Sequence, residues 1–155
     1  METVVGSGHL KMDDIEDIKT LISPNFALIN PEIVCGKAHL EQAAYLADKA
    51  HTDKYNLSKD RSTEALLYLT AQRQISKAIE IAGITEKQKA VAWISFGQLP
   101  ERLSTVVSLD DSIISHENFD YSILNLGDQI YSELTNEDKQ KIVMTRTATL
   151  PVQPR

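Results

Sequence analysis

The run from Arg61 to Ile84, RSTEALLYLTAQRQISKAIEIAGI, constrains the chain most, because two short helical patterns meet in it across a polar, basic elbow. Ser62, Thr63 and Glu64 place side-chain oxygens just ahead of Ala65, Leu66, Leu67 and Leu69, so a helix capped by these groups is expected to start near Ser62. Ile75, Ala78, Ile79 and Ala82 recur at i, i+3, i+4 and i+7, which predicts a second helix with one apolar face. Gly83 is expected to stop it in a left-handed C-terminal cap. Between the two, Gln72, Arg73 and Gln74 are polar with apolar flanks. A turn of this kind lies at the surface on a scaffold it does not itself stabilise, which leaves its side chains for recognition.

The rest of the chain supplies the surfaces such a helix pair needs. Lys89 to Phe96, KAVAWISF, is near-continuously apolar with β-branched and aromatic residues, and predicts a central strand covered on both faces. Phe26 to Asn30 reads as a second buried strand closed by Asn30-Pro31, and Thr3 to Gly6 as a short edge strand followed by a turn at Gly6-Ser7-Gly8. Asp13 to Ile22 has helical spacing through Ile15, Ile18 and Ile22. From Lys37 or Ala38 to about Ala50 a helix is expected to line up Leu40, Ala43, Ala44, Ala47 and Ala50, small residues that let another element approach closely. Pro100 to Val107 predicts a short helix and Ser112 to Ser115 a short strand. Tyr121 to Leu134 is amphipathic with a break at Gly127. Thr135 with Asp138 three residues later opens a last helix by a capping box, and the proline-containing tail 151–155 is expected to fray. Helices separated by a few strands predict an α/β or α+β domain, a small mixed sheet covered by several helices.

At 155 residues, 42% apolar and 25% charged, residues 1–155 fit one domain around one core. The single Cys35 allows no internal disulfide and no multi-cysteine metal site, which suits a reducing, cytoplasmic setting. No stretch has the length or apolarity of a membrane span, and the first residues lack the basic and apolar regions of a signal peptide. A net charge of −6 conceals an asymmetry. Residues 37–89 hold nine basic and seven acidic groups, and residues 139–155 hold four basic and none acidic. Local fields decide whether a phosphate backbone is attracted, so the acidic total does not exclude nucleic acid.

No catalytic constellation emerges, and no cofactor is implied. Cys35 and His39 are four apart, but without a third ligand nearby they read as a buried thiol and a helix-start histidine. Asp13-Asp14 and Asp110-Asp111 lack the apolar setting that would split carboxylate pKa values. Two features keep a binding function in view. Arg73, Gln74 and Ile75, with Lys77 one turn on, combine a cationic fork, an amide and an apolar ledge, the groups that hold an unstacked nucleotide. The same residues also read as a solvated helix face. The basic, acid-free end of the last helix reads either as a partner surface or as a packed terminal helix whose cations favour its C-terminal end.

The turn Asn30-Pro-Glu-Ile-Val34, the helix KAHLEQAAYLADKA, the block STEALLYLTAQRQISKAIEIAGI, the apolar strand after it and the late IYSELTNEDKQKIVMTRTATL together resemble the smallest regulatory subunit of the KEOPS complex, the TPRKB-like, PRPK-kinase-binding family. The resemblance runs from about Phe26 onward and is most specific from Ser62 to Gly83. It implies a non-enzymatic protein that binds and stimulates the small atypical kinase/ATPase of KEOPS. Through that kinase it would serve the transferase that places threonylcarbamoyl on tRNA adenosine. It further implies binding of the single-stranded 3′ CCA end of tRNA at positions matched by Arg73, Gln74 and Ile75. Lys37, His39, Arg61 and Lys77 join that set by local charge and proximity in the pattern. The kinase surface is expected on the terminal helix at Ile142, Val143 and Arg146, with Tyr131. The alternative is a protein-interaction or dimerisation module without RNA contact.

Overall fold

A computed structural model describes residues 2–114 and 135–150. In chain order it contains β1 (Thr3–Leu10), α1 (Ile15–Lys19), β2 (Phe26–Ile29), α2 (Lys37–Thr52), α3 (Arg61–Thr70), α4 (Ile75–Ala82), β3 (Ala90–Phe96), α5 (Leu103–Val106), β4 (Val107–Leu109) and α6 (Asn136–Ala148). Short 3-10 turns occupy Pro31–Ile33 and Asp111–Ile114. The strands form one sheet in the order β2-β3-β1-β4. All its pairings are antiparallel, so the chain is an α+β domain and the expected mixed sheet is corrected.

β3 is central, as its apolarity predicts, and its alternate residues enter two cores. Ala92, Ile94 and Phe96 pack with α2, α3 and α4, while Val91 and Trp93 pack with α1 and α5. β1 is a correction. It runs on through the expected Gly6-Ser7-Gly8 turn to Leu10 and lies inside the sheet between β3 and β4. The glycines serve close packing here. A Cβ at Gly6 would come within 2.5 Å of the Trp93 ring, and one at Gly8 within 2.4 Å of the Ser108 carbonyl oxygen. β4 was hidden in the sequence by its length. The expected helix stops at Val106, Val107–Leu109 pairs with Gly8–Leu10, and Asp111–Ile114 is a 3-10 turn where a strand was expected.

The α2 stripe is fully buried: Leu40, Ala43, Ala44, Ala47 and Ala50 let α3 lie close against it. α3 begins one residue earlier than expected and is capped differently. Asp60 is its N-cap without a side-chain bond, and Ser62 is buried in the first turn, its N–H donating to the Pro24 carbonyl. The buried Glu64 carboxylate instead accepts from the N–H groups of Leu57 and Ser58 and from the Ser58 hydroxyl at 2.7–3.0 Å. This fixes the loop entering α3, most firmly at Ser58, whose two donors to Glu64 are buried. α6 opens as predicted: Thr135 Oγ1 accepts from Asp138 N–H at 3.1 Å, and Asp138 accepts from Thr135 N–H at 3.2 Å. Tyr121–Leu134 and the tail lie outside the described residues.

Candidate functional site

The elbow between α3 and α4 is built by backbone geometry first. Ala71 adopts φ 54, ψ 40, while Ala71 N–H bonds the Tyr68 carbonyl and Gln72 N–H bonds the Leu67 carbonyl. This is a Schellman ending with alanine in the left-handed position where glycine is usual. The expected left-handed Gly83 is extended instead, at φ −67. Its missing Cβ matters for another reason: it would lie 2.6 Å from the Ile79 carbonyl oxygen, which accepts from Gly83 N–H.

After this sharp turn the chain enters α4 with Gln74 as N-cap, and among the described residues no side chain caps the helix's first N–H groups. They point outward with the positive end of the helix dipole, a disposition that favours an anion. Gln74, Ile75 and Lys77 are exposed on this first turn, Ile75 at 41%. The predicted apolar stripe divides. Ala78 and Ala82 face the core, while Ile75 and Ile79 stand outside as an apolar ledge. Arg73 is half-buried and donates through Nη1 to the Leu150 carbonyl oxygen at 2.7 Å, so its guanidinium turns towards the end of α6.

His39 lies beneath the elbow, not on it. It is fully buried, which corrects its place among the RNA-facing residues. Its Nδ1 accepts from Cys35 N–H at 3.0 Å, which leaves the proton on Nε2, and Nε2 donates to the Leu69 carbonyl at 3.1 Å. Thr147 Oγ1 of α6 lies 3.3 Å from the same nitrogen. Burial lowers the His39 pKa to about 4, against a smaller opposing effect of the Leu69 hydrogen bond. The ring is therefore neutral at neutral pH and joins the ends of α2, α3 and α6. Among the described residues, no three His, Cys, Asp or Glu side chains cluster to hold a metal ion.

The remaining expected residues are dispersed. Arg61 begins α3 and so lies about 14 Å along the helix from the elbow. It pairs with Asp48 at 2.9 Å and is not part of the elbow surface. Lys37, exposed at the start of α2, lines a cleft with Thr3, Val4, Val5, Glu41 and Tyr45. On α6, Val143 is buried, which corrects its assignment as a docking contact, while Ile142 and Arg146 are half-buried. α6 is fastened to α2 and the residues that lead into it by Gln42 donating to the Met144 carbonyl at 3.0 Å and Gln140 donating to the Cys35 carbonyl at 3.2 Å. Tyr131 lies outside the described residues.

Sequence reasoning missed an apolar groove of about 420 Å³ between α1, β2, α3 and α4. Ile22, Leu66, Ile79 and Ile84 line it, with Lys19 and Glu80 also contributing. Ile22 and Ile79 are 45% and 49% exposed. Their signal was present as helical spacing, but spacing alone does not report that either side chain is left exposed.

Residues 11–143 match the family described as kinase binding protein CGI-121. The chain belongs to that family. A search of curated proteins returns no significant match. The CGI-121 match takes in the elbow, the apolar groove and α6 as far as Val143, and it agrees with the TPRKB-like resemblance carried by the sequence motifs. CGI-121 proteins are kinase-binding by their family description.

Proposed function

We propose that this CGI-121 protein is a non-catalytic, cytoplasmic accessory subunit of KEOPS that docks and stimulates the atypical kinase and holds the 3′ CCA end of tRNA. The observation that carries the RNA reading is the first turn of α4. The N-cap side chain makes no hydrogen bond to the first N–H groups, and Gln74, Ile75 and Lys77 are all exposed around that helix start. A single-stranded tail offers that surface phosphates for the charge and helix end, and unstacked bases for Gln74 and Ile75. Exposed Lys37, at the start of α2, is included as a further cation for the RNA. Kinase binding is the family's property, and two faces are suited to it: the apolar groove with exposed Ile22 and Ile79, and the outer strip of α6 at Ile142 and Arg146. The groove is favoured because its large apolar side chains already stand exposed, whereas Val143 is turned inward.

The test is binding of purified protein to one tRNA with and without its CCA, by fluorescence anisotropy across a salt series. CCA-dependent binding is expected, weakening as salt rises, with Lys77→Ala lowering the slope of log K against log[salt] by about 0.7 for one single-strand phosphate. Equal binding to both RNAs, or none, would refute the tail-holding role and leave a protein-interaction module. Ile79→Asp and Ile142→Asp, assayed for kinase capture and ATPase stimulation, separate the groove from the α6 strip.

A further inference from the structure

Arg73 was the most attractive RNA ligand in the sequence, yet in the fold its guanidinium is already engaged. Nη1 donates at 2.7 Å to the carbonyl oxygen of Leu150, a fully buried residue 77 positions away. That acceptor lies just beyond the last turn of α6, where carbonyls lack intrahelical partners and the helix dipole is negative. A guanidinium there satisfies a carbonyl and complements the dipole at once. A second fastening lies beneath the first. Nε2 of buried His39 reaches both the Leu69 carbonyl, at the end of α3, and Thr147 Oγ1, in the last turn of α6. The elbow starts two residues after Leu69, at the left-handed Ala71. The end of α6 is thus tied to the end of α3 through His39 and to the elbow itself through Arg73.

We propose that Arg73 is a positioning residue: it locks the elbow to the end of α6, so that the RNA-holding start of α4 is set by α6 and not by the turn alone. This rests on the RNA reading above for its ligand, though not for its geometry. Its consequence is reciprocal coupling. Displacing the end of α6 weakens RNA binding at the elbow, and RNA bound at the elbow steadies the end of α6.

Salt titration of tRNA binding by Arg73→Met separates positioning from direct contact. The expected result is an affinity loss of at least about fivefold, the lower end of coupling between sites, with the salt slope unchanged. Thr147→Val is expected to weaken binding in the same sense at the same slope, although buried Thr147 has no access to RNA. A slope reduced by about 0.7 in Arg73→Met, the loss of one phosphate contact, would overturn the proposal, as would wild-type affinity at wild-type slope. If Arg73→Met does not fold, the neutral and more soluble Arg73→Gln carries the same comparison. Hydrogen exchange supplies the readout independent of RNA. Amides at 147–150 are expected to exchange faster in the variant than in the wild type, and unchanged exchange would refute the strut. No tRNA binding by the wild type, with exchange at 147–150 still dependent on Arg73, would refute the RNA reading while the strut stands.

Discussion

Acidification tests the buried histidine, because the geometry around His39 leaves no room for a second ring proton. Nδ1 already accepts from Cys35 N–H, so protonation there would set two donors against each other. Burial brings the folded pKa to about 4 from the ordinary 6.5. Between those values the unfolded chain binds the proton and the folded chain does not, so stability falls as pH falls. The contribution is complete above about pH 6.5 and lost progressively down to about pH 4. A separation of this size amounts to about 3 kcal/mol in total, of which about 2 kcal/mol disappears between pH 7 and pH 5. Urea unfolding of the wild type and His39→Gln at both pH values isolates it, because the other titrating groups are common to both. The variant is expected to be less stable at pH 7 but to lose about 2 kcal/mol less than the wild type on acidification. Equal losses in the two proteins, or an NMR titration of the His39 ring with a midpoint near 6.5, would refute the reasoning.

Ala71→Gly is expected to stabilise the protein by about 1 kcal/mol, since the left-handed conformation costs an L-residue roughly 1–2 kcal/mol and glycine's greater unfolded-state freedom offsets part of the gain. The urea midpoint should rise with the slope unchanged, and a fall would mean that the alanine methyl packs usefully. Glu64→Ala is expected to cost about 3 kcal/mol by leaving the Leu57 and Ser58 donors without their acceptor. Faster exchange at those two amides would accompany it, and Glu64→Gln should lose less because its side-chain carbonyl still accepts.

Much of the helical scaffold was legible because helix and strand patterns are local. The α2 alanine stripe, the α3–α4 pair, the β3 run and the Thr135–Asp138 capping box each announce themselves within a few residues. Sequence reasoning failed where one pattern admits two environments. Ile79 shares a helical stripe with Ala78 and Ala82, but only the alanines are buried and Ile79 is left outside, whereas Ile75, read as a ledge at the elbow, is exposed. Gly6 and Gly8 read as a turn because nothing local reports the Trp93 ring and the Ser108 carbonyl that exclude a side chain there. Glu64 looked like a helix-start charge, and its real task is to accept the donors of a loop that precedes it.

By itself the sequence determined the helices that frame the elbow, the central strand and, through its motifs, the CGI-121 family. Tertiary structure decided the rest of the site: that β1 lies inside an antiparallel sheet, that His39 is buried while Lys77 is not, and that Arg73 reaches α6. The physical reason is distance along the chain. Periodicity and capping are fixed by neighbours a few residues apart, whereas Arg73 meets Leu150 across 77 residues and His39 meets Thr147 across 108. Those partners are chosen by the packing of whole elements around the core.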